Sequence, residues 1–117
     1  MIRRGTIVLI PFPFTDLSSQ RVRPALVVSN NERTGDDVIV VFISSVLSGR
    51  IGRAEVVIRQ TADSFSTTGL KVSSVIKCDK IATLDKRIVI GELGCIQKTI
   101  QGEVDNRLRA VLDLDTE

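Results

Sequence analysis

The sequence predicts a mainly β fold with one carboxy-terminal helix: a small curved antiparallel sheet or open barrel with the helix packed against it. Three observations predict it. From residue 6 to residue 93, short β-branched runs alternate with Pro, Gly and hydroxyl-rich breaks. Beyond Thr99 the apolar period lengthens, with Ile100, Val104, Leu108, Val111 and Leu112 recurring at helical spacing. A chain of 117 residues has the length of one domain, assigned to 1–117, and can bury about two-thirds of its unfolded surface without disulfide or metal staples.

The first strand is the run Thr6 to Ile10, ended by Pro11. Pro11 and Pro13 keep the next segment out of a sheet interior, and Thr15 to Ser19 has the composition of a loop. Val22 to Asn30 is the second strand and Asp37 to Ser44 the third. Val38 to Ile43 shows no polar alternation, so that strand is expected to be covered on both faces. Ser48 to Arg53 is a flexible basic loop, and Ala54 to Arg59 a fourth strand. Gln60 to Gly69 is polar and hydroxyl-rich, suited to a long loop or a single helical turn. Leu70 to Lys77 and Cys78 to Leu84 read as strand, and Ile88 to Leu93 as a strand broken by Gly91. The helix takes Thr99 as its N-cap, and Gly102 in its first turn costs about 1 kcal/mol against Ala.

Composition narrows the function classes. Net charge is +2 and the pI near 8.8, which permits a nucleic-acid partner only through local patches. Four Phe, with no Tyr or Trp, give no broad base-stacking platform. There is no histidine, and Cys78 and Cys95 have no third thiol to complete a zinc site, so no metal or cofactor is expected. The amino-terminal apolar run is too short for a signal-peptide core or a membrane span. The expectation is a soluble cytoplasmic protein whose two thiols are reduced and half-buried.

Without histidine, the chemistry must come from other groups. Arg23, fixed by Pro24, shares a strand face with Arg21 and offers a planar fork of donors that fits a phosphate. The plain alternative is a solvated arginine. Ser44 and Ser45 close a buried strand directly before the basic loop. Their hydroxyls can donate to phosphate, or simply terminate the strand; a serine nucleophile would need a histidine, which is absent, or a buried lysine, which the sequence does not show. Lys77 and Asp79 leave one strand face together, as an acid–base pair or as an ordinary ion pair of little worth. Arg50 and Arg53, beside Gly49 and Gly52, suit backbone phosphate contact, although a solvated hairpin has the same sequence.

The order and spacing of several short segments resemble the MazF/PemK family of bacterial toxins. These segments are Gly5 to Val8, the turn Pro11-Phe12-Pro13-Phe14-Thr15-Asp16, Arg23 to Ser29, Ile43-Ser44, Gly69-Leu70, Ser74 to Asp79 and Thr83-Leu84-Asp85. The resemblance spans Arg4 to Leu114. It implies an SH3-like barrel of the MazF/CcdB toxin type with a carboxy-terminal helix, assembled as a homodimer and inhibited by a cognate antitoxin protein. It also implies a metal-independent, sequence-specific endoribonuclease acting on single-stranded mRNA. In that chemistry the RNA 2′-hydroxyl attacks, leaving a 2′,3′-cyclic phosphate and a 5′-hydroxyl.

Carried over by position, Arg23 matches the family's catalytic arginine and Ser44 a hydroxyl position usually occupied by threonine. Asp79 and Lys77 match an acid–base pair of one branch, with lysine where that branch has arginine. Thr6 stands where many relatives have aspartate. The RNA-binding set implied is Phe12, Phe14, Arg21, Ser45, Arg50, Arg53 and Ser74. Two other functions fit the same scaffold: a non-enzymatic gyrase-poison-like toxin, and a nucleic-acid-binding barrel without activity.

Overall fold

The computed structural model describes residues 2–12 and 21–114. It has strands β1 (Thr6–Phe12), β2 (Arg21–Val27), β3 (Asp37–Ser44), β4 (Glu55–Ile58), β5 (Ser74–Asp85) and β6 (Gly91–Cys95), followed by helix α1 (Lys98–Val111). The strands form one curled antiparallel sheet in the order β4-β5-β3-β2-β1-β6, so β4 and β6 are its edges. This is the open form of the predicted architecture.

Alternation along the central strands builds two apolar clusters, one on each face. Ile7, Leu26, Val41, Ile43, Ile76 and Cys78 point to one side, where Ile100 and Val104 of α1 cover them. Val8, Ile10, Ala25, Val27, Val38 and Val40 point to the other. The third strand is covered on both faces as its unbroken apolar run predicts. Arg4 fastens the amino terminus to the helix: its guanidinium pairs with Asp105, and its Nε donates to the Val28 carbonyl at 3.1 Å.

Two prolines lie inside strands: Pro24 within the second strand as expected, and Pro11 beyond the expected end of the first. β1 continues past Ile10 through Pro11 to Phe12, and β2 contains Pro24. Both are tolerated for one reason. Pairing of β1 with β6 ends at Leu9, and pairing of β2 with β3 begins at Ala25, so each proline has a ladder on one side only. A missing N–H costs nothing on the open side.

Other boundaries move. β2 ends at Val27, three residues short of Asn30, and residues 70–73 precede β5 instead of belonging to it. Ile88 closes a short 3-10 turn, Lys86–Ile88, and Gly91 begins β6 instead of breaking it. Gln97, not Thr99, is the helix N-cap position, and its side chain makes no capping bond. The polar stretch after residue 60 does form a 3-10 turn, Asp63–Thr68, ended by Gly69 at a φ of 72°. That turn is pressed against β6: a β-carbon on Gly94 would lie 2.2 Å from the Thr67 carbonyl oxygen. Thr67 also donates its hydroxyl to the Cys95 carbonyl at 3.0 Å.

The cysteines depart from the expected half-buried pair. Both are free, but Cys78 is fully buried in the helix-side cluster while Cys95 is exposed on the edge strand.

Candidate active site

The site grows from one row of side chains running across the sheet. Ala25 in β2 lies opposite Phe42 in β3, Phe42 opposite Lys77 in β5, and Lys77 opposite Glu55 in β4. Directly opposed residues share a face, and so do residues two apart in one strand. Arg23 and Ser44, each two residues from the Ala25–Phe42 pair, therefore emerge side by side on that face. A pocket of about 380 Å³ is walled by Arg23, Phe42, Ser44, Val46, Lys77 and Lys80.

Arg23 is not a solvated arginine. It is half-buried, and its Nε is a buried donor with no hydrogen-bond partner among the described residues. Leaving such a group unpaired costs about 1–3 kcal/mol, more for a charged one, and an incoming anion oxygen would remove the penalty. Ser44 Oγ accepts the Val46 N–H at 3.1 Å at the end of β3. Among the described residues only the acceptor side of that hydroxyl is used, so its proton is available to a ligand.

Lys77 and Asp79 behave differently from one another. Lys77 Nζ lies 3.8 Å from Glu55 Oε2, and Glu55 Oε1 in turn accepts the Gly52 N–H at 2.8 Å. Glu55 thus ties Lys77 to the end of the basic loop. Asp79 is exposed and lines a neighbouring depression with Arg50, Arg53, Glu55, Lys77 and Lys80. The two depressions meet at Lys77 and Lys80. Behind them, Cys78 turns into the core; burial pushes its thiol up to about 11, with Arg107 pulling the other way.

On the other side of Arg23, a larger groove of about 690 Å³ holds Arg21, Ser45, Lys71 and Ser74 above apolar walls that include Val22, Leu70 and Leu93. The Ser74 hydroxyl is buried and donates to the Val72 carbonyl at 2.9 Å. Phe12 belongs to β1 opposite Arg21. Phe14 lies outside the described residues.

Residues 3–112 match the sequence family described as the PemK-like, MazF-like toxin of type II toxin–antitoxin systems. The chain belongs to this PemK/MazF toxin family. Solved structures agree with that membership at the level of the fold. An endoribonuclease in complex with its cognate antitoxin, from a mycobacterial species, superposes with a TM-score of 0.76 at 23% identity, over 100% of both chains. A MazE–MazF complex from Deinococcus radiodurans gives 0.73 at 23% identity over 97% of each chain. A MazF toxin of Mycobacterium tuberculosis gives 0.70 at 20% identity, over 94% of this chain and 98% of the other.

For this PemK/MazF toxin, the structure brings Arg23, Ser44 and Lys77 into one pocket and sets Asp79, Arg50 and Arg53 beside it. Several contributors lie outside the sequence expectations, Val46 and Lys71 among them. Glu55 and Phe42 enter through cross-strand register, which one strand read by itself does not contain. Lys80 enters through an irregularity in β5: Val41 pairs with Ile81 and Phe42 with Lys77, so residues 78–80 are left over on β5. Among the described residues, no group of three Cys, Asp or Glu side chains converges as metal ligands would. No helix among them is long and apolar enough to cross a membrane.

Proposed function

We propose that this PemK/MazF toxin is an endoribonuclease that cuts single-stranded mRNA at a short sequence motif, without a metal ion. One observation carries the reading: the Arg23 guanidinium, whose Nε has no hydrogen-bond partner among the described residues, lines one pocket with the Ser44 hydroxyl, two donors suited to an anionic oxygen. A phosphodiester supplies that oxygen.

In the proposed step the ribose 2′-oxygen attacks the adjacent phosphorus while the bond from phosphorus to the 5′-oxygen breaks. Arg23 and Ser44 donate to the non-bridging oxygens, where charge builds up in the pentacoordinate transition state. The Asp79 carboxylate takes the proton from the 2′-hydroxyl, and the Lys77 ammonium delivers one to the departing 5′-oxygen. Lysine suits that role better than arginine, since an ammonium releases its proton more readily than a guanidinium. Atoms balance without water: the products are a 2′,3′-cyclic phosphate and a 5′-hydroxyl. Arg21, Ser45, Ser74, Arg50 and Arg53, on the depressions that flank the pocket, hold the strand on either side, and Phe12 and Phe14 belong to the same proposed RNA-binding set.

The toxin works as a cytoplasmic homodimer, and its antitoxin lays an acidic, partly disordered segment across the basic face. Incubating the purified protein with long single-stranded RNA in EDTA, then mapping the ends, tests the activity. Discrete cuts ending in cyclic phosphate are expected. Intact RNA would leave a binding or gyrase-directed toxin on this fold, and a strict need for magnesium would overturn the mechanism.

A further inference from the structure

We infer that Lys80 is a catalytic residue of this site, contacting the scissile phosphate opposite Arg23; this rests on the nuclease reading above. Strict alternation along β5 would set Lys80 on the face opposite to Lys77 and Asp79. The register rules that out. Between the pairs Val41–Ile81 and Phe42–Lys77, β3 advances one residue while β5 advances four, so Cys78, Asp79 and Lys80 occupy a bulge. Bulges re-aim side chains, and here Lys80 joins Lys77 on the wall of the Arg23–Ser44 pocket while Cys78 fills the core.

The cations of that pocket then differ in what they are free to do. Lys77 is drawn toward Glu55 across the β4–β5 pair. Lys80 is exposed and has no ion pair or hydrogen bond among the described residues. It also borders the adjoining depression with Arg50 and Arg53, so it stands where the two hollows meet. A phosphate held by the Arg23 guanidinium and the Ser44 hydroxyl still has charge facing the β5 wall. A mobile ammonium from Lys80 neutralises it there, and the interaction strengthens as the phosphorus takes on its fifth oxygen. The group acts as a point charge, so geometry is less demanding than for Arg23.

Steady-state cleavage of a short fluorogenic RNA carrying the mapped cut site tests the inference, comparing wild type, Lys80→Ala, Lys80→Gln, Lys80→Arg and Lys98→Ala. Lys98, at the start of α1, lines a separate depression with Cys95 and controls for loss of one surface cation. Lys80→Ala and Lys80→Gln should lower kcat at saturating RNA by roughly tenfold or more. Lys80→Arg should recover most of that loss, and Lys98→Ala should keep wild-type kcat. Melting curves of all five proteins should coincide, because Lys80 is exposed and supports nothing in the fold. Wild-type kcat in both neutral variants, even with a raised KM, would reduce Lys80 to general attraction and overturn the assignment. Intact RNA with wild type would instead sink the nuclease reading itself.

Discussion

Arg23 and Ser44 line one pocket because each stands two residues from the Ala25–Phe42 pair, on the same face of β2 and β3. Neither strand places them together by itself; the antiparallel register does. Arg23→Ala should therefore lose about 3 kcal/mol of transition-state stabilisation, on the order of a hundredfold in cleavage rate. Arg23→Lys should fail nearly as badly, since an ammonium loses the planar two-point contact. Melting temperature should not fall in Arg23→Ala, because the change removes an unsatisfied buried donor. Cleavage rate, RNA affinity and melting on the same three proteins separate these effects, and near-wild-type cleavage by Arg23→Ala would reassign the residue.

Ser44 makes a graded test. Ser44→Thr keeps the hydroxyl and stiffens its rotamer, so cleavage should equal or exceed that of wild type. Ser44→Ala removes both the donor to phosphate and the acceptor for the Val46 N–H. Its rate should drop by roughly tenfold or more, with about 1 kcal/mol of stability lost. Single-turnover cleavage and thermal melting of the two variants measure the split. A slow Ser44→Thr would mean that the pocket has no room for the extra methyl.

The two thiols should separate cleanly by reactivity. Cys95 is exposed, whereas Cys78 is buried with its thiol pushed up to about 11. Iodoacetamide at pH 8 should label Cys95 in the native protein and reach Cys78 only on unfolding. The Cys78 contribution is fully present below the unfolded value of 9.0 and is lost as pH rises toward about 11, because the unfolded thiol ionises first. Cys78→Ser should flatten that alkaline loss. Peptide mapping by mass spectrometry and melting between pH 8 and 11 provide the readouts.

The contact between the 3-10 turn and β6 predicts opposite outcomes for two Gly→Ala changes. At Gly94 the new β-carbon would meet the Thr67 carbonyl oxygen at 2.2 Å, so backbone must move. Gly94→Ala should cost about 1–3 kcal/mol, and more if the turn detaches. At Gly102, within α1, a β-carbon meets nothing within 4 Å. Gly102→Ala should stabilise the protein by about 1 kcal/mol through helix propensity. Urea denaturation of both variants checks the signs. Equal stabilities would show that the turn yields without resistance.

The strand-rich body, the single closing helix and the identity of the charged groups available for chemistry are all legible in the sequence. These follow from local rules: β-branched runs extend, Ile100 and Val104 at helical spacing face one side, and a chain without histidine must use Arg, Lys, Asp and Ser. Where a partner strand overrode the local rule, the sequence misled. Proline locally predicts the end of β1, yet Pro11 sits within it because the β6 side is open there. Folding in three dimensions is what leaves Arg23 Nε buried with no partner among the described residues, draws Lys77 to Glu55, and brings Lys80 to the same pocket. The physical reason is register. A period of two assigns faces only while both strands advance together, and the three residues left over on β5 break that count, re-aiming Lys80 through a pairing with β3, more than thirty residues earlier in the chain.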